Sequence, residues 1–159
     1  MDGPKLYGIV DAARDPGLHD RVIACEEQVC LFAGALKPPL HRVAPYLVRL
    51  PPEAPFTQAW RDEGWGKQWG ILCLSRHGLP ALRRHFRKFL QVMLPNGQIV
   101  LFRYYDPRVF RPYLATLNDD EREHWFAAVD EFRVETDDGK GITYFYPDGS
   151  EKTSGIRVA

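Results

Sequence analysis

Short runs rich in β-branched and aromatic residues alternate along this chain with stretches whose apolar positions recur every three or four residues. The first kind predicts strands over 6–11, 29–32, 45–50, 69–75, 99–105, 132–135 and 141–146. The run at 69–75 is apolar on both faces, which suits the middle of a sheet. The second kind predicts helices over 18–27, 57–63, 80–93, from Pro107 onward, and from Asn118 to about Ala128. In the helix over 80–93, Leu82, Phe86, Phe89, Leu90 and Met93 share one face, and Arg83, Arg84, Arg87 and Lys88 occupy much of the rest. Pro80 and Pro107 suit first helical turns, where a missing N–H costs nothing. Asp106 is placed to cap the helix that Pro107 opens, and Asn118 with Glu121 has capping-box spacing.

Breakers punctuate these elements. Pro16-Gly17, the stretch 34–39, Pro51-Pro52 and Pro147-Asp148-Gly149 read as turns or loops, and Asn96-Gly97 is a hairpin signal. Gly64-Trp65-Gly66 reads as a tight turn feeding the central strand rather than a phosphate loop, because it lacks the strand-then-helix setting. The final ten residues are polar and read as frayed. The expected fold is α/β: a single mixed sheet flanked by helices, with a short C-terminal β-hairpin or partial second lobe. The expected division is an α/β domain over 1–130 and a hairpin and tail over 131–159.

Composition narrows the class. With 159 residues, 45% of them hydrophobic, the chain is sized for one ordinary core. No run of 18 apolar residues exists, so no spanning helix is expected, and the opening residues lack the pattern of a secretory leader. The formal charge is zero, which argues against a dedicated nucleic-acid binder. The balance is uneven: 1–118 carries 16 basic and 10 acidic side chains, whereas 119–159 carries 5 and 11. Such a chain either folds its halves together or shows two different surfaces to partners. Cys25, Cys30 and Cys73 lack metal-ligand spacing and read as buried thiols of a reducing compartment.

Signatures of bond-making chemistry are sparse. There is no nucleophile elbow, Walker loop or zinc-helix motif. Glu121 and His124 read as a solvated helix face, and Cys73 as a core residue rather than a nucleophile beside His77 and His85. Asp11 and Asp106, at the ends of expected strands near Arg14, Arg103 and Arg108, would share one sheet edge if those strands ran parallel. They read either as caps and internal ion pairs or as a recognition site. The basic stripe of Arg83, Arg84, Arg87 and Lys88 reads either as a solvated face or as a docking surface for an acidic partner. Trp60 and Trp65 are aromatic anchors on condition that they are exposed, and Trp69 reads as core.

Leu6-Tyr7-Gly8-Ile9-Val10-Asp11, Ala44-Pro45-Tyr46-Leu47-Val48, Trp69-Gly70-Ile71-Leu72, the basic helix and Phe102-Arg103-Tyr104-Tyr105-Asp106-Pro107-Arg108-Val109 occur in a familiar order. This ordered set resembles the adaptor or chaperone family of bacterial type VI secretion, known as the domain of unknown function 4123. The resemblance covers residue 6 to about 130. It implies a cytoplasmic, non-enzymatic protein that needs no cofactor or metal. Such a protein binds a toxic effector and helps load it onto the secretion spike protein, without nucleic acid or membrane as a partner. It also implies that Asp11, Tyr46, Trp69, Arg103, Asp106, Pro107 and Arg108 organise the signature elements. The competing expectation is a small-molecule or enzymatic α/β domain with its site near Asp11 and Asp106.

Overall fold

A computed structural model describes residues 3–32 and 40–155. The loop expected over 34–39 and the last four residues of the expected tail lie outside the described residues. Seven strands form one sheet in the order β2-β3-β1-β4-β7-β8-β9: β1 (Lys5–Asp11), β2 (Gln28–Cys30), β3 (Pro45–Arg49), β4 (Gly70–Ser75), β7 (Glu131–Glu135), β8 (Gly141–Phe145) and β9 (Glu151–Gly155). A separate two-stranded ribbon pairs β5 (Gln91–Met93) with β6 (Ile99–Leu101). Neighbouring strands pair antiparallel throughout. Helices flank the sheet: α1 (Leu18–Ile23), α2 (Pro55–Ala59), α3 (Leu79–Arg87), α4 (Pro107–Leu114) and α5 (Asp119–Trp125). The sheet with flanking helices and a C-terminal pairing of adjacent strands is the expected architecture.

The period of two along each strand divides the core between the two sheet faces. On one face Tyr7, Ile9, Leu47, Ile71, Cys73, Phe132, Val134 and Phe145 meet Leu82 and Phe86 of α3, Phe110 and Leu114 of α4, and Trp125. Trp125 stacks on Phe89 at 3.7 Å and donates its indole N–H to the Tyr113 hydroxyl at 3.2 Å. His85, buried on the same side, bonds through Nε2 to the Trp125 carbonyl at 2.9 Å. On the opposite face Val10, Tyr46, Val48 and Leu72 pack with Leu18 and Val22 of α1, Phe56 of α2, Trp60 and Trp69.

Two glycines are dictated by close approach. A Cβ on Gly8 would lie 2.6 Å from Cζ3 of Trp60, and one on Gly70 would lie 1.9 Å from the Ile9 carbonyl oxygen. The first leaves room for an indole over β1. The second lets β4 cross tightly beside it.

The structure departs from several expected elements. The helix expected over 18–27 ends at Ile23. The basic helix ends at Arg87, and 91–93 turns into β5. The long strand expected over 99–105 is only β6, so Arg103, Tyr104 and Tyr105 lie in the connection to α4. The helix expected over 57–63 begins at Pro55, and Trp60–Gly64 is a π-helical turn. Part of the tail expected to fray pairs instead as β9 along β8. Tertiary pairing supplies what a polar sequence does not advertise.

Candidate functional site

Three regions contain the residues singled out by sequence. The first is the signature cluster. Asp106 is the N-cap of α4: its carboxylate accepts from the Arg108 N–H at 2.9 Å, and Pro107 occupies the first turn. The same carboxylate accepts from the Arg108 guanidinium at 3.1 and 2.8 Å and from Arg14 at 3.3 Å. Arg103 reaches back 92 residues to donate to Asp11 at 2.7 Å, and Asp11 also accepts from the Ala13 N–H at 3.1 Å. The guanidinium of Arg103 lies 5.7 Å from the Tyr105 ring centre. Asp11 and Asp106 are thus brought to one place, as the sequence suggested, though not by parallel strands: Asp106 follows a connection and not a strand.

Electrostatics holds Asp106 in its charged form. Burial opposes ionisation of Asp106, but the Arg108 side chain and N–H, with Arg14 behind them, hold its carboxyl below the usual range. Nearby Glu135, buried at the end of β7, behaves oppositely. Burial pushes its carboxyl up, offset in part by N–H donors of Gly66 and Gln68 at 3.1 and 2.9 Å. Those two bonds pin the turn before β4, where Gly66 has φ +84° and Gln68 has φ 59°. Sequence inspection did not single out Glu135. Its signal is weak, one carboxylate at a strand end, and its partners are backbone groups.

The aromatic group forms the second region. Trp60 is only 2% exposed and Trp69 3%, so both are core. This corrects the reading of Trp60 as a surface anchor: Gly8 and the π-turn let it sink against the sheet. Trp69 donates its indole N–H to Asp15 at 2.5 Å. Trp65 is half-buried and lines a groove of about 480 Å³ with Leu6, Leu72, Leu74, Arg61 and Arg133. Arg61 and Arg133 already have carboxylate partners, Asp62 and Glu131. Tyr46 is buried, and its hydroxyl donates to the His41 carbonyl at 2.8 Å. Of the cysteines expected to be buried, Cys73 is, whereas Cys25 and Cys30 are half-buried. Burial raises the Cys73 thiol far above its ordinary range.

The third region is the basic face of α3. Arg83 donates Nε–H to the Cys30 carbonyl at 3.2 Å, tying α3 to β2. Arg84, Arg87 and Lys88 are exposed. Outside α3, every described arginine lies within ion-pair distance of a carboxylate. Among the described residues, Arg84, Arg87 and Lys88 have no such partner. Their charge is therefore presented to solvent rather than consumed by the fold.

Among the described residues no group of three His, Cys, Asp or Glu side chains is placed to hold a metal ion. No described helix is long and apolar enough to cross a membrane. No curated protein and no solved structure matches the chain. A family model described as a domain of unknown function, DUF4123, matches residues 6–124. That span runs from β1 into α5 and contains Asp11, α3 and the whole Arg103 to Arg108 signature. Covering about three-quarters of the sequence, the match makes this chain a member of the DUF4123 family.

Proposed function

We propose that this protein is a non-enzymatic adaptor or chaperone that binds a type VI secretion effector and helps load it onto the spike protein. The reading joins family membership to one observation, the unpaired cationic face of α3. Guanidinium groups left without carboxylates offer forked donors to an acidic partner, and they cost little to desolvate relative to lysine. Docking proceeds by recognition: Arg84, Arg87 and Lys88 steer and orient the acidic surface, while α3 is held to the sheet by Leu82, Phe86 and the Arg83 bond to β2. The protein works as a cytoplasmic partner of the effector before secretion.

The reading of Asp11 and Asp106 as a small-molecule or catalytic site has less support. Both carboxylates are engaged by guanidinium groups of their own chain. They behave as internal fasteners.

The test is co-purification of the tagged chain from its native cell, with bound proteins identified by mass spectrometry. Recovery of a toxin effector, with or without the spike protein, is expected. Arg84→Glu combined with Arg87→Glu should reduce that recovery by about tenfold or more. Recovery of neither protein while the secretion genes are expressed would overturn the adaptor reading.

A further inference from the structure

The β5–β6 ribbon stands apart from the seven-stranded sheet. Its register places Leu101 opposite Gln91 and Ile99 opposite Met93, so Gln91, Met93, Ile99 and Leu101 share one face. On that face Met93 is 69% exposed, Ile99 58% and Leu101 45%. Val92 and Leu94 are exposed as well. Among the described residues, five of the nine exposed large hydrophobics therefore belong to this one hairpin. Scattered apolar residues are ordinary on a surface, but a cluster on one two-stranded ribbon is not. An isolated two-stranded ribbon is also marginal in water and gains stability when its apolar face is covered.

The hairpin is well defined in spite of this. Gly97 takes φ +84° in the turn, the Leu94 N–H donates to the Gln98 carbonyl at 2.8 Å, and the Gln98 N–H donates to the Asn96 side chain at 2.9 Å. At its base the Phe102 N–H donates to the Leu90 carbonyl at 2.7 Å. Leu90 is core and lies three residues beyond the end of α3. The unpaired cations Arg84, Arg87 and Lys88 belong to the last turn of α3 and its C-cap, within seven residues of the start of β5. Between Glu63 and Asp106 the sequence has no carboxylate and seven lysines or arginines. An occupant of this region meets positive charge at one end, an apolar face at the other, and no acidic group contributed by the same stretch.

We infer that the β5–β6 ribbon and the end of α3 form one docking surface for a partner-protein segment in which an apolar stretch is followed by carboxylates. Apolar side chains of that segment cover Met93, Ile99 and Leu101, and its carboxylates pair with Arg84, Arg87 and Lys88. Among the described residues no further strand pairs with either outer edge of the ribbon, so an extended segment also gains main-chain hydrogen bonds there. The identification of the partner as secretion cargo rests on the adaptor reading; the chemistry of the surface does not. The competing occupant is a second copy of the chain, whose residues 119–159 are acid-rich.

The test uses the purified full chain and a short fluorescein-labelled peptide of several leucines followed by several glutamates, with the peptide carrying lysines in place of the glutamates as control. Fluorescence anisotropy should show binding of the acidic peptide only. The pair Met93→Asp and Ile99→Asp, and separately the pair Arg84→Glu and Arg87→Glu, should each weaken binding about tenfold or more. Added salt should weaken binding to the wild type. The substituted side chains are exposed, so melting curves should be unchanged; Ile99→Ser serves as a milder variant where the aspartates impair folding. Equal binding by the variants, or equal binding of the lysine peptide, overturns the surface. So does concentration-dependent dimerisation that Met93→Asp with Ile99→Asp abolishes and the acidic peptide does not compete with. In the native co-purification, cargo retained by the Met93→Asp, Ile99→Asp variant overturns the surface and leaves the adaptor reading standing. Peptide binding with no cargo recovered from the wild type does the reverse.

Discussion

Two charged regions of this molecule use arginine in opposite ways. Around Asp11 and Asp106, Arg14, Arg103 and Arg108 each meet a carboxylate, and both carboxylates are nearly inaccessible to water. On α3, Arg84 and Arg87 meet none and stand in solvent. A buried carboxylate has lost its hydration and must be repaid by donors from the same chain, so its arginines become part of the scaffold. An exposed guanidinium owes nothing to the fold and remains available to a partner. Arginine count alone does not separate the two cases; the position of the nearest carboxylate does.

Substitutions can break or sharpen this contrast. The largest loss is expected from Trp125→Ala, which empties the centre of the aromatic core beneath both regions: about 3–5 kcal/mol in denaturant unfolding. A loss below about 1 kcal/mol would mean that the helical layer is not anchored by this residue. Asp106→Ala comes next. It removes the cap of α4, worth about 1 kcal/mol, and charge-assisted bonds to two arginines worth about 1 kcal/mol more once their partial exposure is discounted. An unchanged unfolding midpoint would show that the signature cluster is not a fastener.

A smaller effect appears as pH dependence. Burial lowers the His85 pKa, against the opposing pull of the Trp125 carbonyl. The unfolded chain therefore takes up this proton more readily than the folded one. Stability should be intact above about pH 6.5 and decline as pH falls below it. His19, also lowered by burial, contributes in the same direction. In His85→Gln the decline should be shallower; an identical slope would remove His85 as its source. The smallest effect is expected from Arg84→Glu with Arg87→Glu, whose stability should stay within about 0.5 kcal/mol of wild type although partner binding collapses. A large stability loss would place these residues in the scaffold after all and erase the contrast.

Much of the scaffold was legible because its signals are local. The Asp106-Pro107 start of α4 and the Asn118, Glu121 capping box appear as the spacing implied, since each depends on residues within one helical turn. Strand β4 reads as central from its two apolar faces and lies between β1 and β7. The basic helix ends sooner than its periodicity predicts for an equally physical reason. Leu90 and Met93 continue its apolar periodicity, yet the pairing of Gln91–Met93 with Ile99–Leu101 across the Asn96-Gly97 turn competes with helix there and wins. Trp60 sits in a polar stretch that predicts exposure, and it is buried because Gly8 leaves room for its indole.

By itself the sequence determined most of the strands and helices, how the helices around Asp106 and Asn118 begin, which family the chain belongs to, and that α3 would be basic on one face. Only the tertiary structure decided which of the charges are matched. Arg103 finds Asp11 and Arg14 finds Asp106 across 92 residues of chain, and Glu135 finds two backbone N–H groups more than 60 residues away. Only the tertiary structure left Met93, Ile99 and Leu101 uncovered while it buried Trp60. The physical reason is common to both. Hydrogen bonds, ion pairs and apolar burial are satisfied by whatever the fold brings near, and a linear pattern records the need for a partner without recording where that partner is.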